Sequence, residues 1–595
     1  MPEVHAVCEH DVMKRPLFGL RPLLVCAVLF HALLAAPLRG APAAIAIPDD
    51  HGAEVAEAVL REGGNAIDAA VATAFVLAVT YPEAGNLGGG GFITLHHQGT
   101  HRFLDFREAA PGRASRDMYL DAQGNYIADS SLIGHRAAGV PGTVAGLWEV
   151  HRQYGTRPWK TLLQPAIRLA RDGFVPHPQL IERTREAFAD YEGKTNFREY
   201  FGSLGQSNAA QQPFPQPELA VTLQRIAERG PKDFYHGRTA DLLVAEMRRG
   251  GGLISHEDLR NYRAIWRAPL QWPWRGYTLV TAPPPSSGGI ALAQLLGMKD
   301  ALAADFKDAP YLSTRYVHLI AEIEKRVFAD RAEYLGDPDF VTVPVSELVA
   351  PQYLQRRAQQ INRAAISSPP GVKPGLAESL QTTHFSILDG AGNAVSLTYT
   401  LNGSFGNGVV VRGAGFLLNN EMDDFSVKPG VPNLYGVVGA TANEIAPRKR
   451  MLSSMTPTIL LKDGVVQGVL GTPGGSTIFT SVFQTLVNMF DHGMTAAEAV
   501  SAPRFHHQLL PGTLIIVSRC CNLPDKTRAE LVAMGYDVRQ NSWEFGDMQV
   551  IQRTADGGLT AAADPRGRGQ ARVFELMPRA ARPAEPRSRP ATVAE

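Results

Sequence analysis

The chain has 595 residues, with 58 Lys plus Arg against 58 Asp plus Glu, so its formal charge is zero. That balance argues against a basic nucleic-acid binder or a polybasic membrane-surface protein. With 45% hydrophobic and 19% charged residues, the chain is globular rather than disordered. At about 150 residues per domain, length alone suggests three to four domains.

In chain order, Lys14 and Arg15 precede an apolar run from Pro22 to Ala36, followed by Ala41-Pro42-Ala43. A basic region, an apolar region and an Ala-x-Ala site predict a secretory signal over residues 1–43. The competing reading is an uncleaved anchor, but the run is shorter than the roughly 20 residues a span needs. The expected product is exported, periplasmic or secreted. Of the four cysteines, Cys8 and Cys26 leave with that signal, and only Cys520-Cys521 remain. Adjacent Cα atoms sit about 3.8 Å apart, below the usual disulfide range, so two unpaired thiols are expected rather than a strained vicinal bond. Neither pair spacing nor a His cluster offers a metal site.

Helical apolar spacing runs over Ala53–Arg61, and Asn65 can cap an Ala-rich helix over Ala66–Val79. Gly88 to Gly91 lead into a strand at Phe92–Leu95 and lack the Gly-Lys-Ser/Thr of a phosphate loop. A second strand covers Phe103–Glu108, and a helix covers Thr143–Tyr154. Trp159–Arg363 alternates helical segments with Pro/Gly turns. Residues 364–379 form a loop without apolar period. Beyond it, Thr382–Leu388 and Ala394–Leu401 flank an Asp-Gly-Ala-Gly-Asn turn, and Thr458–Leu461 and Val465–Leu470 flank Lys-Asp-Gly; both read as hairpins. Ile478, Phe479, Val482, Phe483, Leu486, Val487 and Phe490 give one apolar helix face. Thr495 and Glu498 form a capping-box pair. Residues 577–595 are Pro/Arg/Ala-rich and expected to be a disordered tail.

Two places can carry chemistry. At the strand-to-helix junction Gly474-Gly475, free N–H groups at a helix start can face a developing oxyanion. Read by itself, the junction is a tight turn before it is a site. Thr382 opens a strand after the long loop. If the Gln381–Thr382 bond were cut, Thr382 would gain an α-amine of pKa about 7.7–8, able to act as base for its own hydroxyl. By spacing alone it is one strand threonine among many.

At these residues the sequence resembles the gamma-glutamyltranspeptidase (glutathione hydrolase) family of N-terminal nucleophile hydrolases. The motifs are Asp105-Phe106-Arg107-Glu108; Thr382-Thr383-His384-Phe385-Ser386; Thr398-Tyr399-Thr400-Leu401-Asn402; Leu418-Asn419-Asn420-Glu421-Met422-Asp423-Asp424-Phe425-Ser426; Ser453-Ser454-Met455-Thr456-Pro457-Thr458; Gly474-Gly475-Ser476; and Ala502-Pro503-Arg504-Phe505-His506-His507-Gln508. The resemblance implies an α+β fold, a four-layer α-β-β-α sandwich made by two subunits of one self-cleaved precursor. Cleavage at Gln381–Thr382 would give a large subunit over 44–381 and a small one over 382–595, packed as a heterodimer. It further implies Thr382 as nucleophile, Thr400 tuning it, and Gly474 and Gly475 as the oxyanion donors. Arg107, Ser453 and Ser454 would receive the α-carboxylate of a γ-glutamyl group, and Asn402, Glu421 and Asp424 its ammonium. Tyr435, in the 429–439 loop, would close over the pocket.

The implied substrates are glutathione and other γ-glutamyl compounds, with water or amino acids and dipeptides as acceptors. No cofactor, metal or nucleic acid is expected. His384 invites a base role beside the nucleophile, but it is read as a strand residue supporting the site, and His506-His507 as structural. The alternatives are a cephalosporin (glutaryl) acylase of the same superfamily, which needs no ammonium pocket, and a non-catalytic secreted binding protein, which needs no nucleophile.

Overall fold

Apolar alternation and turn chemistry build two antiparallel sheets in the computed structural model, which describes residues 40–367, 382–428, 433–434 and 436–577. Both expected hairpins form. In the first, β7 (Thr383–Leu388) pairs with β8 (Ala394–Thr400). Asp389 holds the turn by accepting the N–H groups of Ala391 and Asn393, each at 2.9 Å. In the second, β9 (Thr458–Lys462) pairs with β10 (Val465–Gly471). Asp463 and Gly464 both take positive φ there, the twist a tight hairpin favours.

The first sheet has seven strands. In spatial order they are β16 (Gln570–Leu576), β1 (Ala41–Ile47), β7, β8, β2 (Gly90–His97), β3 (Thr100–Asp105) and β4 (Ile265–Arg267). The second has six: β15 (Leu559–Ala563), β14 (Gln549–Arg553), β10, β9, β6 (Tyr277–Thr281) and β5 (Leu270–Trp274), while β11 (Phe505–His506), β12 (Leu514–Val517) and β13 (Asp537–Gln540) form a small third sheet. The facing sides of the first two meet in an apolar layer of Ala44, Ala46, Leu388 and Ala394 against Val280, Ile459, Leu461, Val469 and Ile551. Sheets buried on both faces need helices outside. The helices Asp50–Arg61 and Ala66–Thr80 share a core with the first sheet. Gly288–Ala301, Thr314–Tyr334 and Thr477–Asp491 share one with the second. The result is the α-β-β-α sandwich, and its layers lie within one compact unit, Ala41–Leu576. The length-based expectation of three to four domains therefore does not hold.

Local signals explain the outer layer. Asn65 accepts the N–H groups of Ile67 and Asp68, and Asp68 answers through the Asn65 N–H, closing a capping box. The helix it starts is buried at every position from Ala66 to Thr80, as an apolar helix without a polar face must be. Thr495 and Glu498 cap the helix Ala496–Ser501 as expected.

Three expectations shift. β1 begins at Ala41, and Ala41, Pro42 and Ala43 pair with Leu576, Glu575 and Phe574, so the expected signal boundary after Ala43 falls inside a core strand. The strand drawn to Glu108 stops at Asp105, which frees Arg107 and Glu108 from the ladder. Cys520 and Cys521 are disulfide-bonded, against the unpaired reading. They lie in a turn closed by the Cys521 N–H to Ser518 O at 3.0 Å, with the Arg566 guanidinium donating to both sulfurs. Among the described residues no helix is long and apolar enough to cross a membrane.

Candidate active site

The two sheets converge on one small cavity, about 20 Å³. Nine of the eleven residues expected to form the site line it: Arg107, Thr382, Thr400, Asn402, Glu421, Asp424, Ser453, Ser454 and Gly475. They are spread over 369 positions of sequence, 107 to 475, and only the sandwich brings them together. Gly474 adjoins Gly475 in the chain but is not among the lining residues, and Tyr435 lies outside the described residues. Gln381 also lies outside them. Arg331, Met455, Ser476 and Ile478 also line the cavity, as does Val437 of the 429–439 loop.

Thr382 stands one residue before β7 and is buried. Thr400 ends the neighbouring β8, so pairing of the two strands sets these threonines side by side. The Thr400 hydroxyl accepts the Asn402 N–H at 2.8 Å, which directs its own proton elsewhere. Asn402 holds φ +75°, and its amide donates to Asn420 O at 3.0 Å, binding the end of β8 to the Glu421 loop.

The glycine junction has the geometry of a backbone donor site. Gly474 takes φ +138°, and a Cβ there would meet Thr477 Oγ1 at 2.5 Å. Gly475 takes φ +53°. Their carbonyls accept from the first helical turn, Thr477 N at 3.0 Å and Ile478 N at 3.2 Å. Among the described residues their N–H groups donate to no acceptor, and they stand at the positive end of the helix Thr477–Asp491. Ser476 is tied behind them through Gln508 Oε1 at 2.9 Å, which His506 Nε2 also meets at 3.1 Å.

The opposite wall is charged. Arg107 NH1 lies 2.7 Å from Glu421 and 3.7 Å from Glu108, and NH2 pairs with Asp424. The Arg107–Glu421 contact is close in charge but not aligned as a hydrogen bond, and both Glu421 oxygens lack an aligned donor. Asp105 fixes the backbone by accepting the Arg107 N–H at 3.0 Å, and is itself held by Arg267 at 2.7 Å and Arg450 at 2.6 Å. Burial alone would weaken the Arg107 charge, but Glu421, Asp424 and Glu108 more than offset it and keep the guanidinium firmly protonated. One guanidinium cannot hold three buried carboxylates ionised. Burial pushes Glu108 up to about 8 against the pull of Arg107, and raises Glu421 well above and Asp424 above the usual range. Protons therefore remain among these acids at neutral pH.

The histidines behave as supports. His384 is fully buried between Thr398 Oγ1 at 2.8 Å and Ser386 Oγ at 3.1 Å, and burial pushes it down to about 3, so it is neutral. Burial likewise pushes His506 to about 3 and His507 to about 4. Among the described residues no group of three or more His, Cys, Asp or Glu could hold a metal ion.

Against known proteins, a family model described as Gamma-glutamyltranspeptidase matches residues 52–574. The chain belongs to the gamma-glutamyltranspeptidase family. It is 58% identical over 527 residues to the glutathione hydrolase proenzyme of Pseudomonas aeruginosa, covering 88% of this chain and 93% of that one. Among solved structures it is similar to gamma-glutamyltranspeptidase from Pseudomonas nitroreducens complexed with L-DON, at 56% identity and TM-score 0.53 over 54% of this chain and 95% of that one. It is also similar to cephalosporin acylase from Bacillus halodurans, at 26% identity and TM-score 0.79 over 95% and 99% of the two chains. Family membership and the sandwich fold agree with the expectations drawn from the sequence.

Proposed function

We propose that this chain is a self-processing γ-glutamyl hydrolase and transferase acting on glutathione and related γ-glutamyl amides. One observation carries the reading. A buried threonine at the head of β7 shares one cavity with uncapped glycine N–H at a helix start and with a guanidinium ringed by carboxyls. Homology to the Pseudomonas aeruginosa proenzyme supports it.

In the precursor, the Thr382 hydroxyl attacks the Gln381 carbonyl, the peptide becomes an ester, and water releases Thr382 with a free α-amine. The subunits 44–381 and 382–595 stay together, because strands from both build each sheet. In the mature enzyme that amine takes the hydroxyl proton, and Thr382 Oγ1 attacks the γ-glutamyl carbonyl carbon. The Gly474 and Gly475 N–H groups receive the oxyanion. The leaving amine, cysteinylglycine when glutathione is the substrate, departs with the proton. Water or an acceptor amine then takes the γ-glutamyl group from the ester.

A γ-glutamyl group is a zwitterion at its far end. Its carboxylate goes to Arg107, Ser453 and Ser454, and its ammonium to Asn402, Glu421 and Asp424. Arg107 is paired with Glu421 and Asp424, so the zwitterion replaces each partner with one of like charge. A groove of about 540 Å³ next to the cavity, walled by Gly403, Asn420, Leu434 and Trp543, suits the departing and accepting amines. The expected location is the periplasm or the exterior.

The glutaryl acylase is the second reading, favoured by the TM-score of 0.79 to cephalosporin acylase. Rates with γ-glutamyl-p-nitroanilide and glutaryl-p-nitroanilide decide. The two differ only in the α-ammonium, and faster turnover of the γ-glutamyl compound is expected. Preference for the glutaryl compound would replace this reading with the acylase.

A further inference from the structure

The carboxylate end of the cavity contains a second guanidinium. Arg331 sits in the last turn of the helix Thr314–Tyr334, is buried, and lines the same cavity as Thr382 and Arg107. Its bonding differs from that of Arg107. Among the described residues no carboxylate lies within ion-pair distance of it. Its hydrogen bonds go to hydroxyls instead: Nε to Ser287 Oγ at 3.1 Å and NH2 to Ser454 Oγ at 3.3 Å. Ser287 in turn is fixed by donating to Ser453 O at 2.7 Å. Burial pushes the Arg331 guanidinium down to about 10, while Asp424 pulls the other way, so it stays charged at neutral pH.

This arrangement sets the direction of the serine protons. A hydroxyl has one donor and two acceptor positions. The Arg331 N–H fills an acceptor position on Ser454, as the Met455 N–H does on Ser453 at 3.1 Å. Among the described residues neither serine hydroxyl donates to a protein acceptor, so both protons are available to a carboxylate in the cavity. Arg107 must exchange Glu421 or Asp424 for such a carboxylate. Arg331 has no ion pair to give up.

We propose that Arg331 is a positioning residue for the γ-glutamyl α-carboxylate, aiming the Ser454 hydroxyl and supplying the positive charge that Arg107 shares with its own acids. The inference rests on the γ-glutamyl reading and deepens it.

The test uses the full processed enzyme and two probes: L-γ-glutamyl-p-nitroanilide as substrate, and 4-aminobutyryl-p-nitroanilide, which lacks only the α-carboxylate, as competitive inhibitor. In Arg331→Met the KM for the first is expected to rise about tenfold or more, the worth of one charge-assisted hydrogen bond. kcat should stay within about threefold, and the inhibition constant of the second should stay within about twofold, both well inside that tenfold effect. Arg331→Lys keeps the charge and should recover part of the KM. If Arg331→Met fails to process, Arg331→Lys carries the test, with a KM rise confined to the carboxylate-bearing probe. Both constants rising together, or neither moving, overturns the proposal. A wild-type enzyme inactive on γ-glutamyl-p-nitroanilide overturns the functional reading instead, whatever the variants do.

Discussion

The two ends of the cavity are built on opposite principles. At one, Thr382 shares the cavity with Gly475, whose junction with Gly474 holds positive φ at a helix start. At the other, Arg107 meets Glu108, Glu421 and Asp424, all but Asp424 buried, and the buried Arg331 lines the same cavity. The first end depends on position and the second on charge. Damage at the glycine end should therefore fall on kcat, and damage at the charged end on KM and on pH dependence.

The largest effect that would break this contrast is at the nucleophile. Thr382→Ala is expected to leave a single unprocessed chain with no γ-glutamyl release, read on a denaturing gel and with the anilide. Cleavage at the same bond in that variant would assign processing to another group. Next is Gly474→Ala. Its φ of +138° and the 2.5 Å approach of a Cβ to Thr477 Oγ1 force the junction to move. Loss of an aligned oxyanion donor costs about 10²–10³ in kcat, with KM little changed. A KM effect alone would show that the junction binds rather than stabilises.

At the charged end, Arg107→Gln removes the shared partner of Glu108, Glu421 and Asp424, a change that costs about 3–5 kcal/mol where the charges remain. Proton uptake by Glu421 and Asp424 softens that cost. The expected kinetic result is a KM rise of about tenfold or more with a smaller change in kcat. Equal losses in kcat and kcat/KM would mean that Arg107 acts at the transition state.

The smallest effect concerns Glu108. Burial raises its folded pKa to about 8, above the ordinary glutamate value, so folding takes up a proton between the two. The associated stability is complete below the unfolded value and is lost as pH rises through about 8. Glu108→Gln should therefore narrow the drop in Tm between pH 6 and pH 9. An unchanged drop would place the titration on other groups.

Much of this was legible in the sequence, for stated reasons. The hairpins at 383–400 and 458–471 follow from alternation around Asp-Gly turns, and the helix from Ala66 from its Asn65 cap. The ordered motifs picked out nine residues of the cavity. Arg331 was not legible. It sits in Glu322-Ile-Glu-Lys-Arg-Val-Phe-Ala-Asp-Arg331, a run so dense in charge that it reads as a solvated face, yet most of it is buried. Ion pairs among its own residues, Lys325 and Arg326 with Glu322, neutralise it there. The vicinal disulfide was missed because spacing rules describe ordinary bridges, and the turn at Ser518–Cys521 with its Arg566 cap is a tertiary feature. The strand start at Ala41 was hidden by the Ala-x-Ala pattern, which also pairs in register with β16.

The central claim is that Thr382 becomes a chain terminus and then the nucleophile. Sequencing the amino termini of the purified mature protein tests it most directly. The account predicts two polypeptides, the smaller beginning Thr382-Thr383-His384. A single intact chain that still releases γ-glutamyl groups would contradict it.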